Sequence, residues 1–513
     1  MLGGAALRVV LLKPSKYGVD GYVERFRRGF MPNSTLPHIR SLTAAAAGDR
    51  CEVHVVDEYV ETDLDYLKLL ARKPGLTTLL ALAGVQSHQL HRALDLAALA
   101  RRRGVEGCVI GGPHPMTCDT SLLHGRGVSF ALSEAEVVWP SLLTHARQGD
   151  LLPVYGRDQR WERTLDPPVL IPPSRRDLSR YVVPMLGIYP ARGCPFSCNF
   201  CSVIRIAGQK VRTQPLETTL ASLRAAKAAG VKLIMFTSDN VNKVPGIREL
   251  LSAMIEEKLE LPFFAQCDAQ IHREEELVGL LARAGCFQMF VGVESFSREA
   301  LRDAHKLHND PARYARIVEL CRQHGITSHF SNILGFPGDT EAGILGHVRM
   351  LREIGPDVAS FYILTPVPGP EQYDDFLASG LITEKNLDRF DGSSVTWRHP
   401  VLPGGKLRNL LMSAYREFYR PRDVARKLAR VRRVTRDFRR PHALYAVFGH
   451  SALSRIAVLA GAHPMAGGVG RVRRDRAADY AEARRDLFGI DLAPLPASLP
   501  LPKADVEGQR RVS

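Results

Sequence analysis

No stretch of this sequence holds the roughly 18 consecutive apolar residues that a membrane-spanning helix requires. The short apolar run in MLGGAALRVVLLKPSKYG has no basic segment before it and runs into Lys13-Pro14. It therefore reads as a first buried strand and not as a secretion signal. Cysteine is scarce: there are nine, and three of them fall within residues 194–201. The other six, Cys51, Cys108, Cys118, Cys267, Cys286 and Cys321, stand alone. That pattern leaves no disulfide framework and makes a reducing cytoplasm the expected setting. The ordinary role of such cysteines is that of small buried hydrophobes, with Cys267 set apart by its place near a strand end. No internal repeat of short period is present.

The chain has 513 residues, too many for one hydrophobic core, so two or three domains are expected. Its 45% hydrophobic and 24% charged residues are those of an ordinary soluble globular protein. The formal net charge is +15, but residues 401–480 alone hold 18 Lys and Arg against 5 Asp and Glu. The basic character thus belongs to one segment and says little about an active site.

Residues 1–150 alternate apolar runs with helical patterns. The runs are LRVVLL (7–12), CEVHVVDE (51–58), LTTLLALAGV (76–85), CVIGGPHP (108–115) and VSFALSEAE (128–136). The length of the third leaves strand and helix both open. The alternation predicts a doubly wound, flavodoxin-like parallel sheet. Ligands of such sheets bind beyond the carboxyl ends of the strands, here at 13–18, 86–90, 111–114 and 133–136. Residues 151–180, rich in Pro, Arg and Asp, read as a linker. From 181 to 400 a second series runs through MLGIYPA, KLIMFTS, PFFAQC, QMFVGVE, HFSNILG and ASFYILT. The intervening helical stretches LETTLASLRAAKAAG and EEELVGLLARAG end in Gly, a common stop. Six strand–helix units predict a partial (β/α)6 barrel of TIM type, with its active face at the carboxyl ends. Residues 401–489 read as a basic helical region and 490–513 as a Pro-rich mobile tail.

The strongest motif follows the first barrel strand: Arg192-Gly193-Cys194-Pro195-Phe196-Ser197-Cys198-Asn199-Phe200-Cys201. Thiolates at this spacing reach three corners of one cubane iron–sulfur cluster. The loop has no fourth cysteine, so one iron is left open to a substrate, as the open position of a catalytic zinc is. Gly193 and Pro195 allow a tight turn, and Phe200 would pack beside the cluster. A partial zinc site or three unrelated cysteines are the alternatives. Zinc would want a fourth Cys or His close by, and the next candidates are far off in sequence.

The loop matches the CxxxCxΦC motif, with Phe200 as Φ, and residues 181–400 resemble the radical S-adenosylmethionine superfamily. The resemblance implies that Cys194, Cys198 and Cys201 hold a [4Fe-4S] cluster and that S-adenosylmethionine chelates the open iron. Its reductive cleavage would give a 5′-deoxyadenosyl radical. Gly292-Val293-Glu294-Ser295 resembles the family's ribose-contacting segment, and Gly335-Phe336-Pro337-Gly338 its turn near the adenine. Pro366-Val367-Pro368-Gly369 ends the sixth strand. The implied cofactor contacts are Phe200, Asp239, Gln266, Glu294, Ser295, Gly335 and Pro337. Glu294 can accept hydrogen bonds from ribose hydroxyls, with an ion pair as the alternative. Gly335 and Gly338 permit close approach to a flat ring, with plain loop geometry as the alternative. Asp239 reads equally as a helix cap. Asn240, Asp268, Lys306 and Asn332 are further candidates.

Residues 7–150 resemble the cobalamin-binding domain often fused ahead of such a core. The matching pieces are Lys13-Pro14, the Gly111-Gly112-Pro113-His114-Pro115 turn, and Ser133-Glu134-Ala135-Glu136, where relatives often carry Gly-Glu-x-Glu. The implied cobalamin contacts are Lys13, Pro14, Ser87, Leu90, Gly111, Gly112 and Glu134. A sheet that binds nothing, or another ligand, is the alternative. The Asp-x-His-x-x-Gly motif is absent, and His54, His88, His91 and His114 do not sit in its pattern. Many relatives bind cobalamin without a protein His ligand, and His114 reads as structural.

The basic stretch 421–461 admits three readings: a solvated helical face, peripheral contact with an anionic membrane, or nucleic-acid binding. Nucleic acid ranks last, because no recognition motif is visible and aromatics are few. Together the resemblances imply cobalamin-dependent methylation of an unactivated carbon in a small-molecule substrate, apolar in one reading. The electron donor would be of flavodoxin or ferredoxin type, and the setting cytoplasmic or membrane-associated. Oxidative cyclisation or rearrangement is the alternative. A tRNA-methylthiolating enzyme comes third, disfavoured by the lack of a second cysteine triad.

Overall fold

The structure is a computed structural model and describes residues 6–48, 51–438, 441–459, 461–464 and 467–500. Its first part contains β1 (Leu7–Lys13), β2 (Arg25–Gly29), β3 (Cys51–Asp57), β4 (Thr77–Leu82), β5 (Gly107–Gly111), β6 (Ser129–Ala131) and β7 (Val154–Tyr155). All but β2 form one parallel sheet in the order β3-β1-β4-β5-β6-β7. Every residue of β1 is buried, as a strand covered on both faces must be. One face lies under α1 (Thr35–Ala47) and α3 (Ala135–Gln148), the other under α2 (Leu90–Arg102). The run 76–85, open between strand and helix in sequence, is a strand at the centre of this sheet. The segment read as a linker opens with β7, the sheet's edge strand.

The second part begins with β8 (Met185–Ile188), followed by a short ribbon of β9 (Ala191–Arg192) and β10 (Arg212–Thr213). Next come β11 (Leu233–Phe236), β12 (Phe263–Cys267), β13 (Cys286–Glu294), β14 (Thr327–Leu334) and β15 (Val358–Ile363). Strands β8 and β11–β15 run parallel in sequence order, which makes a partial six-stranded barrel. Helices α4 (Leu216–Ala228), α5 (Ile247–Glu256), α6 (Glu275–Ala284), α7 (Tyr314–Gln323) and α8 (Glu341–Ile354) form its outer layer. The alternation of β12 shows why: Phe263, Ala265 and Cys267 enter the core beneath these helices, and Phe264 and Gln266 turn into the lumen. Cys267 is thus a buried core residue.

Helices α9 (Gly404–Phe418), α10 (Pro421–Phe438) and α11 (Pro441–Leu459) follow, then β16 (Gly468–Val472) and α12 (Ala478–Phe488). Tyr415 and Tyr419 tie this region to the barrel by donating to the carbonyls of Phe361 (3.1 Å) and Ala359 (2.8 Å) in β15. The chain then returns to the first domain, where β16 pairs antiparallel with β2. A buried network fastens this return. Glu58 accepts from Arg92 Nη2 at 2.6 Å, from Arg25 Nη2 at 3.0 Å and from the Ser15 amide at 2.9 Å. Both arginines also reach Asp475, which accepts from the Tyr480 hydroxyl at 2.5 Å. Residues 490–500, expected to be mobile, are held in place. Ala493 is buried with its N–H on His91, the Tyr373 hydroxyl donates to the carbonyl of Pro496, and the Leu499 N–H donates to Thr117. Apolar residues of this stretch pack into the core under α2, which outweighs its Pro-rich composition. Residues 501–513 lie outside the described residues.

Candidate active site at the barrel mouth

The β9–β10 ribbon pairs Arg192 with Arg212 and Ala191 with Thr213, closing the cysteine loop at its base. Gly193 has φ +103°, and a Cβ there would stand 2.3 Å from the Lys210 carbonyl oxygen, so only glycine fits the turn. Asp239, at the end of β11, accepts the Gly193 N–H at 3.2 Å; burial pushes its carboxyl up to about 6. None of the three cysteines is in a disulfide. Burial raises the Cys194 thiol to about 11 and the Cys201 thiol to about 12, and charge on Cys198 would raise each of them further. Three thiolates can share this space only with a cation among them. Among the described residues, no three His, Cys, Asp or Glu converge as the ligands of one metal ion would. A cubane spreads its iron corners apart, so this donor set suits a cluster better than zinc. Asn240 Nδ2 donates to Cys194 Sγ at 3.0 Å. Phe200 packs against the apolar group containing Phe336, Leu364 and Trp397.

Glu294 ends β13 with φ +59°, beside a shift in the pairing with β14. A non-glycine residue in this region costs about 1–3 kcal/mol. Its carboxylate accepts from Lys306 Nζ at 2.9 Å and from Ser331 Oγ at 3.3 Å. The ion pair considered for Glu294 is therefore present. Lys306 also lies 5.8 Å from the centre of the Phe200 ring, which links the pair to the cysteine loop. The Ser295 hydroxyl is spent within its own turn, accepting from the Ser297 N–H at 3.1 Å.

In the turn after β14, Asp339 Oδ2 accepts the N–H groups of Gly335 (2.8 Å) and Phe336 (3.0 Å). His399 Nδ1 accepts from the amides of Val401 and Leu402, so its Nε2 carries the proton that goes to the Phe336 carbonyl at 2.8 Å. Pro337 is half-buried, and Gly338 is exposed with open space around it. After β12, Asp268 caps the next turn with Oδ1; its buried Oδ2 lies 3.9 Å from Lys243 Nζ and has no hydrogen-bond partner. Asn199 Oδ1 and Asn242 Nδ2 have no hydrogen-bond partner either. Buried polar atoms without hydrogen-bond partners at the strand ends fit a polar ligand. Gln266 faces the lumen below this layer. Asn332 is fully engaged within the core by Phe330, Ser360 and His347.

A cavity of about 280 Å³ runs from this face into the first domain. Its floor is the sheet at Ala81, Ala83, Gly111 and Ala131, and Trp139 and Leu142 of α3 face them. Those small side chains leave a slot between sheet and helices. The barrel contributes Tyr189, Arg192, Thr237 and Asp239. Gly112 has φ +136°, and a Cβ there would meet Val85 N at 2.2 Å. Arg192 joins the walls by binding Glu136 (2.8 Å) and Glu134 (3.3 Å) while resting over the Tyr189 ring. Of the seven residues the sequence pointed to for cobalamin, Gly111, Gly112 and Glu134 line this slot. Lys13 stands behind it, bonded to the Gly84 carbonyl and to Gln89 Oε1. Pro14, Ser87 and Leu90 do not line it; Leu90 packs in the core under α2, and Ser87 bonds His114. His38, the imidazole in the cavity wall, is engaged by Glu136 at 2.7 Å and Arg192 at 3.0 Å. The alanines on one face of β4 and β6 were the signal for the slot, and sequence reading passed over them.

Residues 188–351 match the model of the Radical SAM superfamily. The chain carries a radical SAM domain. The matched stretch runs from the end of β8 into α8 and includes the cysteine loop. Over 330 residues, 62% of its length, the chain is similar to bacteriochlorophyllide d C-12(1)-methyltransferase of Chlorobaculum tepidum, with 26% identity and 70% of that protein covered. Its fold resembles that of the cobalamin-dependent S-adenosylmethionine radical enzyme OxsB, solved with aqua-cobalamin and S-adenosylmethionine. The TM-score is 0.61 and the identity 12%, over 94% of this chain and 78% of that one. It also resembles the radical S-adenosylmethionine methyltransferase TsrM of Kitasatospora setae, solved with cobalamin and a [4Fe-4S] cluster. There the TM-score is 0.57 and the identity 17%, over 73% and 78% of the two chains. At these identities the likeness to OxsB and TsrM is one of fold, and with OxsB, at 94% of this chain, it takes in the sheet ahead of the radical SAM domain.

Proposed function

We propose that this protein is a radical S-adenosylmethionine methyltransferase that uses a [4Fe-4S] cluster and cobalamin to methylate an unactivated carbon of a small molecule. One observation carries this reading: the slot in the first domain and the cysteine loop share a wall. Arg192 and Asp239 line the slot, Asp239 holds the Gly193 N–H, and Cys194 is the next residue. The places proposed for the two cofactors would therefore adjoin at Arg192 and Asp239.

Cys194, Cys198 and Cys201 would hold the cluster. When bound, the cluster with S-adenosylmethionine supplies a 5′-deoxyadenosyl radical, and cobalamin supplies a methyl group. The chain's own work is positioning. Glu294, fixed by Lys306 and Ser331, presents its remaining lone pairs to ribose hydroxyls. Gly338, exposed with open space around it, leaves room for the adenine beside a turn whose other polar groups Asp339 and His399 hold, and Asp268 Oδ2, 3.9 Å from Lys243 Nζ, is a buried acceptor near the strand ends. The alanine floor leaves room for a nucleotide-like tail, and Arg192 closes the slot toward the barrel. A low-potential donor of flavodoxin or ferredoxin type would deliver the electrons. Peripheral contact of 421–461 with a membrane belongs to the same reading; among the described residues no helix is long and apolar enough to cross one.

The test is anaerobic reconstitution with iron and sulfide, then cobalamin, followed by S-adenosylmethionine and dithionite. The expected products are 5′-deoxyadenosine and S-adenosylhomocysteine. Formation of 5′-deoxyadenosine alone would favour the oxidative cyclase, and failure to retain corrinoid would remove cobalamin from the proposal.

A further inference from the structure

The barrel lumen below the adenosyl-binding layer holds a second cavity, of about 500 Å³, that the proposed chemistry does not use. Among the described residues, no Asp, Glu, Lys or Arg lines it. Its walls are apolar residues of the strands, such as Met235, Phe264 and Phe290, and α11 closes it from below. Burial lowers all three imidazoles there, His450 to about 4, His329 well below its ordinary value and His442 in the same direction, which favours their neutral forms. Its polar side chains are uncharged amides, imidazoles and the Tyr445 phenol, among them Gln266 and the bonded pair Gln288–His329 (3.2 Å). On β13, Phe290 at the top of the cavity is two residues, about 7 Å of strand, from Gly292, beside the Glu294–Lys306 pair. The cavity thus rises toward the reacting layer.

Its lower rim is unusual. Tyr445 and Phe448 line the cavity and are also 71% and 59% exposed, so the opening lies between them and solvent. They belong to an outward stripe of α11 that continues through Ile456 and Leu459, 64% and 85% exposed. The opposite stripe, Ala443, Val447, Ser451 and Val458, is buried. Beside it, α10 buries Lys427 and Val431 and exposes Arg422, Arg432, Arg433 and Arg436. Val431, Ala443 and Val447 form one apolar cluster with Val358 at the start of β15. Both helices therefore turn their inner faces to the same barrel end and their outer faces away from it. An apolar stripe flanked by exposed arginines is complementary to an anionic lipid surface.

We propose that the α10–α11 pair lies on an anionic bilayer and that the lumen takes up an uncharged lipophilic molecule from it through the Tyr445–Phe448 opening. Identifying that molecule as the methyl acceptor rests on the function proposed above; the docking and the cavity do not.

The test uses the full chain and two probes. In co-sedimentation, the chain should pellet with phosphatidylglycerol–phosphatidylcholine vesicles and not with phosphatidylcholine alone. Arg432→Glu with Arg433→Glu should weaken that partition by about tenfold or more, as should Ile456→Glu. Equal pelleting on both vesicles, or no response to the variants, overturns the docking. For the cavity, the uncharged polyene diphenylhexatriene should bind saturably, one per chain. A Cβ on Gly449, which lines the cavity, meets nothing within 4 Å, so Gly449→Phe fills the space without backbone strain. It should cut probe affinity about tenfold or more and leave vesicle binding intact. No saturable binding, or binding unchanged by Gly449→Phe, overturns the cavity assignment. Neither readout needs a reduced cluster, so both succeed or fail independently of S-adenosylmethionine cleavage.

Discussion

Glu58→Gln should loosen the whole first domain, because this carboxylate neutralises two fully buried arginines. The side chains of Glu58, Arg25 and Arg92 have no exposed surface. Burial alone would raise the Glu58 carboxyl, but the charges and hydrogen bonds of Arg92 and Arg25 overcome it and lower it to about 2. A fall of that size from 4.5 corresponds to about 3 kcal/mol of folded-state preference for the charged form. Removing the charge also strands two guanidiniums on Asp475 alone, and breaking a buried pair in this way costs about 3–5 kcal/mol. The pH dependence has a definite sign. The folded value is depressed, so the contribution is complete above pH 4.5 and is lost as pH falls toward 2. Hydrogen exchange of the β1 and β4 amides reads this domain directly. Opening free energy at neutral pH should drop by about 3–5 kcal/mol in the variant. The wild type should lose its advantage over the variant between pH 4.5 and 2. A drop below about 1 kcal/mol, the worth of an exposed pair, or an unchanged acid slope would refute the reasoning.

Asn240→Leu removes the hydrogen bond to Cys194 Sγ, and donors to cluster sulfurs stabilise the reduced state. The cluster potential should become more negative in an EPR-monitored redox titration, with iron content unchanged. Ala83→Phe places a ring in the slot of the first domain, and the corrinoid retained after desalting should fall several-fold while the cluster spectrum is preserved. Gly112→Ala puts a Cβ against Val85 N in a backbone conformation that alanine resists; soluble yield and corrinoid retention should both fall.

The six barrel strands and four strands of the first sheet, β1, β3, β5 and β6, were legible in sequence, while the run that forms β4 stayed open between strand and helix. Each is an apolar run whose meaning is local: LRVVLLK is buried on both faces, and the inward and outward parity of PFFAQC follows from the pleat. The cysteine loop was legible for the same reason, since its ligands lie within eight residues. What escaped depends on distance along the chain. β2 reads RFRRG and exposes its two central arginines, so it has no strand signature; it becomes a strand because residues 468–472 pair with it. Glu58 and Asp475 gave no sign of sharing two arginines across more than four hundred positions. The slot floor was invisible because alanine in a buried strand looks like ordinary core until the opposing helices are placed. Gln266 was assigned to the mouth by its nearness to a strand end, whereas its parity turns it into the lumen.

The most direct test of the central claim compares the reconstituted wild type with Cys198→Ala under strict anaerobiosis. The measurement is 5′-deoxyadenosine formed from S-adenosylmethionine after reduction, alongside iron content. The wild type should carry about four irons per chain and produce 5′-deoxyadenosine, and Cys198→Ala should lose both. Full cleavage by Cys198→Ala, or none by an iron-loaded wild type, would contradict the claim that Cys194, Cys198 and Cys201 hold the cluster that drives this chemistry.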